Sequence, residues 1–155
     1  MFRLTSRQEL LTAFRPKDRN KVEPPPLSLP LFVRDYLAWS HPAGGWAYLV
    51  FAVPGGVPTG IAFETNGQGA AAGPQLCDWC HCSGPSIPVA LLTTQVNARK
   101  RIGINICSDL GCKARLEEEA ERQGRSVLPM IERLLERMGR FAAEGLKIDL
   151  TGAGR

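Results

Sequence analysis

The stretch from Leu76 to Gly84, LCDWCHCSG, places three cysteines and a histidine in six positions, and Cys107 and Cys112 are the only other cysteines in the chain. Zinc takes four soft ligands in a tetrahedron, and two thiolates separated by two residues reach one ion from a tight turn without straining the backbone. Cys77-Asp78-Trp79-Cys80 has that spacing. Its complement is Cys107 and Cys112, with four residues between them. The wider spacing fits a Cys107 that ends a strand and a Cys112 in the first turn of a helix begun by Ser108 or Asp109. There, exposed N–H groups and the positive helix end favour a thiolate.

A ligand set of Cys80, His81 and Cys82 would crowd adjacent donors and leave Cys77 idle. Cys82 is therefore the spare thiol, expected as a small apolar side chain beside the site. His81 reads as a loop residue or as a hydrogen-bond donor to a thiolate, and Trp79 is placed to shield the metal from solvent. Four thiolates leave no coordination position for water, so the expected ion is structural. The helix-and-hairpin context favours zinc over iron in the same set of sulfurs.

The elements around these residues follow from their order. The 26 residues between Cys80 and Cys107 predict a strand pair, Pro88 to Thr94 and Arg101 to Cys107, around a basic tip at Asn97 to Arg101. Helices are predicted over Asp109–Gln123, before Gly124, and over Ser126–Glu144, before Gly145. Knuckle, hairpin and helix amino-terminus, in that order, define a treble-clef zinc finger over residues 76–124.

Upstream, Ser6-Arg7-Gln8-Glu9 has the form of a capping box and predicts a helix near residues 6–14. Val22 to Pro30, with three consecutive prolines, reads as an extended connector. Ser28-Leu29-Pro30 predicts the start of a second short helix with Phe32, Tyr36 and Trp39 on one face, ended at His41-Pro42. Two β-rich runs, 46–53 and 57–65, joined through Pro54-Gly55-Gly56, read as a hairpin. Asn66 to Gly73 is expected to be a mobile linker or loop. The fold class is thus α+β: a single domain over 1–155 in which residues 1–75 form a helix and hairpin extension of the zinc-finger core.

With 155 residues the chain can bury a core without disulfides, and an odd, clustered set of five cysteines suits a reducing compartment and a metal site. No run approaches a membrane span and no leader or lipidation signal is evident, so a cytoplasmic location is expected. The formal net charge of +4 falls to about +2 once four thiolates hold one zinc ion, too little to demand a nucleic-acid partner. The chain has two histidines, His41 and His81, and neither has a carboxylate at an evident catalytic spacing. Nor does it have a phosphate loop or a nucleophile elbow. An enzyme is not expected. Candidate partner surfaces are Arg99-Lys100-Arg101 at the hairpin tip, and Arg133, Arg137 and Arg140, which recur at helical spacing. The stripe of Val127, Ile131, Leu134, Leu135, Met138, Phe141 and Ala142 is expected to be core.

LCDWCHCSGPSIPVALLTT followed by INICSDLGC resembles the treble-clef zinc-finger domain of elongation factor G-binding proteins, the FBP or FusB-type family known for fusidic acid resistance. The resemblance covers about residues 76–115, with weaker similarity in the WAYLVF and GIAFE strands, and it makes Cys77, Cys80, Cys107 and Cys112 the family's zinc ligands. It implies a protein that docks through this domain onto elongation factor G, the translocation GTPase, and promotes its release from the ribosome. Resistance-type members also carry a helical amino-terminal domain, which the 76 residues before Cys77 are too few, and too rich in proline and glycine, to supply. A short stand-alone domain of this type is therefore the expectation. Two rival readings remain open at this point: an RNA- or ribosome-binding finger using the arginine clusters, and a thiol or metal sensor using Cys82.

Overall fold

In the computed structural model, which describes residues 1–25, 27–65 and 76–152, the chain forms β1 (Phe2–Leu4), α1 (Arg7–Thr12), β2 (Leu31–Val33), β3 (Tyr36–Ser40), β4 (Trp46–Phe51), β5 (Thr59–Glu64), β6 (Val89–Asn97), β7 (Lys100–Cys107), α2 (Cys112–Gln123) and α3 (Leu128–Arg140). A 3₁₀ turn spans Arg19–Lys21, and α3 runs on into a π-helical turn, Phe141–Gly145. β3 to β7 make one antiparallel five-stranded sheet in sequence order, while β1 and β2 pair separately. The expected α+β class is what the chain adopts.

Alternation along β4 explains the layering. Successive side chains in a strand point to opposite faces, yet every residue from Ala47 to Phe51 is buried. Both faces of the central sheet must therefore be covered. On one face Ala47, Leu49 and Phe51, with Ile61 and Phe63 of β5, pack against Ile131, Leu134 and Met138 of α3 and against Trp79. The predicted apolar stripe of the last helix is thus core, with Ala142 also buried and Val127, Leu135 and Phe141 partly so. On the opposite face Tyr48, Val50 and Ala62 meet Leu4, Leu10, Phe14, Val22 and Val33. Residues before β3 are a second covering layer of the same sheet.

α1 begins where the capping box predicts: the Ser6 hydroxyl accepts the Glu9 N–H at 3.1 Å. The Glu9 carboxylate turns back one residue further than a capping box requires, accepting from the Thr5 N–H at 2.8 Å and from the Thr5 hydroxyl. α1 is held on the sheet by a close approach at Gly60, whose N–H donates to the Ala13 carbonyl at 2.9 Å. A Cβ at Gly60 would stand 2.6 Å from the Phe14 ring.

The second predicted helix is not formed. Its residues are β2 and β3, with β3 paired to β4 from Tyr36↔Phe51 to Ser40↔Ala47. Phe32, Tyr36 and Trp39 fit helical spacing, but a period of two serves better. Tyr36 and Ala38 pack into the α3-side core, Leu37 and Trp39 into the other, whereas Phe32 is 69% exposed with the Arg3 guanidinium 5.8 Å from its ring centroid. An aromatic-rich segment suits a pleated surface, and pairing with β4 satisfies its backbone groups. The two predicted strand pairs form as antiparallel neighbours, the second with an irregularity between Gln95 and Asn97. The linker or loop predicted at Asn66 to Gly73 lies outside the described residues. No helix among the described residues is long and apolar enough to cross a membrane.

Replacing Gly60 with alanine forces Phe14 off the sheet. The expected outcome is a loss of about 1–3 kcal/mol of stability, read as a lower urea midpoint at saturating zinc.

Candidate metal centre

Two elements from opposite sides of the β6–β7 hairpin deliver the sulfurs. Before the hairpin, residues 77–80 form a knuckle. The Cys80 N–H points at the Cys77 sulfur (3.4 Å), His81 N–H donates to the Cys77 carbonyl (2.8 Å), and Cys77 N–H donates to the Cys82 carbonyl (3.1 Å). The chain escapes the turn through a left-handed His81, φ 61°. The knuckle is tied to β7 by Asp78 N–H donating to the Asn105 carbonyl at 2.8 Å, and to α3 by the Arg137 guanidinium donating to the Trp79 carbonyl at 2.7 Å. The Trp79 ring is buried against Phe63 and Phe141, with centroids 5.9 and 6.0 Å away. Trp79 thus anchors the knuckle in the core that the cysteines share.

After the hairpin, Cys107 is the last residue of β7 and Cys112 the first of α2. The helix begins three residues later than Asp109, the predicted start. Leu110 is left-handed, φ 54°, and the Asp109 carboxylate accepts the Gly111 N–H (2.9 Å) and both arms of the Arg115 guanidinium (2.8 and 2.9 Å). These contacts make residues 108–111 a turn that aims Cys112 back toward Cys107.

Cys77, Cys80, Cys107 and Cys112 are all buried, and their sulfurs lie within 4.8 Å of one another. The Cys77–Cys112 and Cys80–Cys107 pairs are each 3.7 Å apart. A tetrahedron with zinc–sulfur bonds of about 2.3 Å has sulfur–sulfur edges of about 3.8 Å, whereas a disulfide would need about 2.05 Å. The donor set therefore fits one structural zinc ion. Packing the sulfurs together also biases their protons. The Cys77 thiol is held well below its ordinary range by hydrogen bonds from Cys107, Cys112 and Cys80, and Cys80 is lowered to about 7, first by Cys107 and then by Cys112.

Cys82 lies outside the cluster. It is half-buried beside the core, its sulfur 3.8 Å from the Cys80 carbonyl oxygen, and burial, reinforced by the charge on Cys80, pushes its thiol up to about 12. The His81 side chain is exposed and supplies no donor to the cluster.

The structure separates the arginine clusters. At the hairpin tip Arg99 and Lys100 are exposed, while Arg101 is engaged by Glu64 (2.7 Å) and Thr93 (3.1 Å). By strand register this tip is at the far end of the hairpin from Cys107. Arg133 and Arg137 instead line a cleft of about 790 Å³ between α2, α3 and the 80–87 loop, and Arg137 and Arg140 border a second hollow beside Trp79 and Phe141. Sequence reasoning missed Asn105, Arg115 and Tyr36 as supports of the site. Asp109 and Arg115, at six residues' separation, carried no standard helical signal, and Tyr36 is 74 residues from the carbonyl it reaches.

Serine in place of any one of Cys77, Cys80, Cys107 or Cys112 is expected to lose zinc and unfold the finger, because binding and folding are coupled there, whereas Cys82→Ser keeps both. Metal content and melting of the five variants check this, and equal losses in all five would refute the assignment. A pH titration with a zinc-sensitive dye provides a second test. Zinc takes the four sulfurs as thiolates, so protons compete with the ion for each of them. Zinc release on acidification is the expected direction.

A family model described as FBP C-terminal treble-clef zinc-finger matches residues 7–144. No curated protein matches the chain significantly. The match takes in α1 and the whole sheet as well as the cysteine cluster, and the order of knuckle, hairpin and helix start is the one a treble clef requires. On these grounds the chain belongs to the FBP C-terminal treble-clef zinc-finger family.

Proposed function

We propose that this chain is a zinc-stabilised protein-binding module that docks onto translation elongation factor G and modulates its release from the ribosome. The observation that carries the reading is the family match over residues 7–144, joined to the resemblance of residues 76–115 to elongation factor G-binding proteins. The site chemistry is in keeping with it. Four buried thiolates saturate a zinc ion and serve as a scaffold, so the working surface is on the outside of the finger. We read the module as non-catalytic and as acting in the cytoplasm, where its partner is found.

The face best suited to a protein partner is the one α3 presents beside the knuckle. Arg133 and Arg140 are exposed and have no carboxylate partner among the described residues, and between them Arg137 is pinned to the knuckle. Met130, Ile87 and Pro85 add apolar contacts to the cleft next to Arg133, whose lining also carries Asp109, Glu118, Glu119 and Arg122. Arginine beside apolar surface is a composition enriched at interface centres, and it suits an acidic patch on the partner. The hairpin-tip pair Arg99 and Lys100, exposed at the opposite end of the hairpin, supports a second reading in which the same finger contacts ribosomal RNA. The sensor reading of Cys82 is disfavoured, because a thiol pushed upward is a poor nucleophile at neutral pH.

Calorimetry of the zinc-loaded chain with purified elongation factor G is expected to show binding, weakened about tenfold by Arg133→Ala combined with Arg140→Ala. No heat of binding with the zinc site intact refutes the proposal. A steep fall in RNA affinity with added salt, lost on Arg99→Ala with Lys100→Ala, would favour the second reading.

A further inference from the structure

The turn from Ser108 to Gly111 sets the distance between two metal ligands, and a side chain from the other edge of the sheet holds it. Leu110 sits in the left-handed region, φ 54°, which a bulky L-residue adopts only when its surroundings over-determine it. Two bonds to that turn are local: Leu110 N–H to the Cys107 carbonyl at 2.9 Å, and Gly111 N–H to Asp109. The next polar groups have no local partner. The first amides of a helix lack acceptors within it, and Gly111, at the N-cap of α2, has no side chain to supply one.

Tyr36 of β3 supplies the missing contacts. Its hydroxyl donates to the Leu110 carbonyl at 2.6 Å and accepts from the Lys113 N–H at 3.0 Å. One oxygen thus bridges the strained Leu110, two residues before Cys112, and Lys113, the residue after it. Asp35, its neighbour in sequence, adds an ion pair to the Lys113 ammonium at 2.9 Å. Burial raises the phenol above its ordinary range, so the hydroxyl keeps the proton it must donate.

We infer that Tyr36 is a positioning residue for the metal centre: its hydroxyl locks the turn between Cys107 and Cys112 and thereby governs how slowly the ion is lost. Metal retention in this finger therefore depends on a strand far outside the knuckle, hairpin and helix. Partners that orient metal-bound side chains govern affinity in the same way.

Tyr36→Phe keeps the ring in the core and removes only the hydroxyl. Zinc transfer from the loaded protein to an excess of chelator is expected to speed up about tenfold, and the visible bands of the cobalt-substituted protein are expected to shift. Tyr48→Phe is the control, since it removes another buried hydroxyl bond, to the Lys21 carbonyl at 2.7 Å, in the layer away from the metal. Equal acceleration in both variants, or zinc loss from folded Tyr36→Phe within twofold of the wild type, overturns the inference. A third measurement needs no variant. Hydrogen exchange of the zinc-loaded wild type is expected to show a protected Lys113 amide, and an unprotected one overturns the inference even if Tyr36→Phe fails to fold.

Discussion

Four sulfurs brought to tetrahedral spacing in a buried pocket are the constraint around which the rest of this molecule is arranged. Like thiolates at 3.7 Å repel one another, and burial in a low-dielectric core sharpens that repulsion. Only a cation at their centre makes the arrangement favourable, which is why metal binding and folding are one equilibrium here. Each sulfur is also fixed from outside the cluster. Cys77 and Cys80 are fixed through the bonds from Asp78 to β7 and from Arg137 to Trp79, Cys107 by the end of a strand, and Cys112 by the start of a helix.

The sheet extends that constraint to the whole chain. Because β4 is buried on both faces, α3 and the amino-terminal segment each need it. β3 has a place in both. Leu37 and Trp39 serve the amino-terminal layer, while Tyr36 and Ala38 serve the metal side. The first 40 or so residues are thereby part of the zinc finger's support, and the family match beginning at residue 7 is physically sensible.

Electrostatics divide the arginines by role. A zinc ion with four thiolates has a formal charge of about −2, and two guanidiniums respond to its surroundings. Arg115 is bidentate to Asp109 and raised first by that carboxylate, with Cys107 adding to it, and Arg137 holds the knuckle carbonyl. Arg101 belongs to the sheet surface through Glu64. Of the two predicted basic clusters, Arg133 and Arg140 beside the finger, and Arg99 and Lys100 at the far tip, have no ion pair among the described residues.

The ligand set was legible in the sequence because cysteine spacing is a local property: two residues between sulfurs suit a knuckle in any fold. The capping box at Ser6, the strand pair between Cys80 and Cys107 and the apolar stripe of α3 were legible for the same reason, each being a local pattern within one element. The aromatic spacing at Phe32, Tyr36 and Trp39 was misread because it matches one face of a helix, whereas pairing with β4 makes the segment a strand and sends Tyr36 and Trp39 to opposite faces. The late start of α2 was hidden in a left-handed Leu110, which no composition signals and which Tyr36, 74 residues distant, helps to hold. The sequence by itself determined which atoms bind the metal, because ligand chemistry is written in residue type and short-range spacing. Only the tertiary structure decided what holds those atoms in place, because those contacts join residues far apart in the chain and arise from strand pairing.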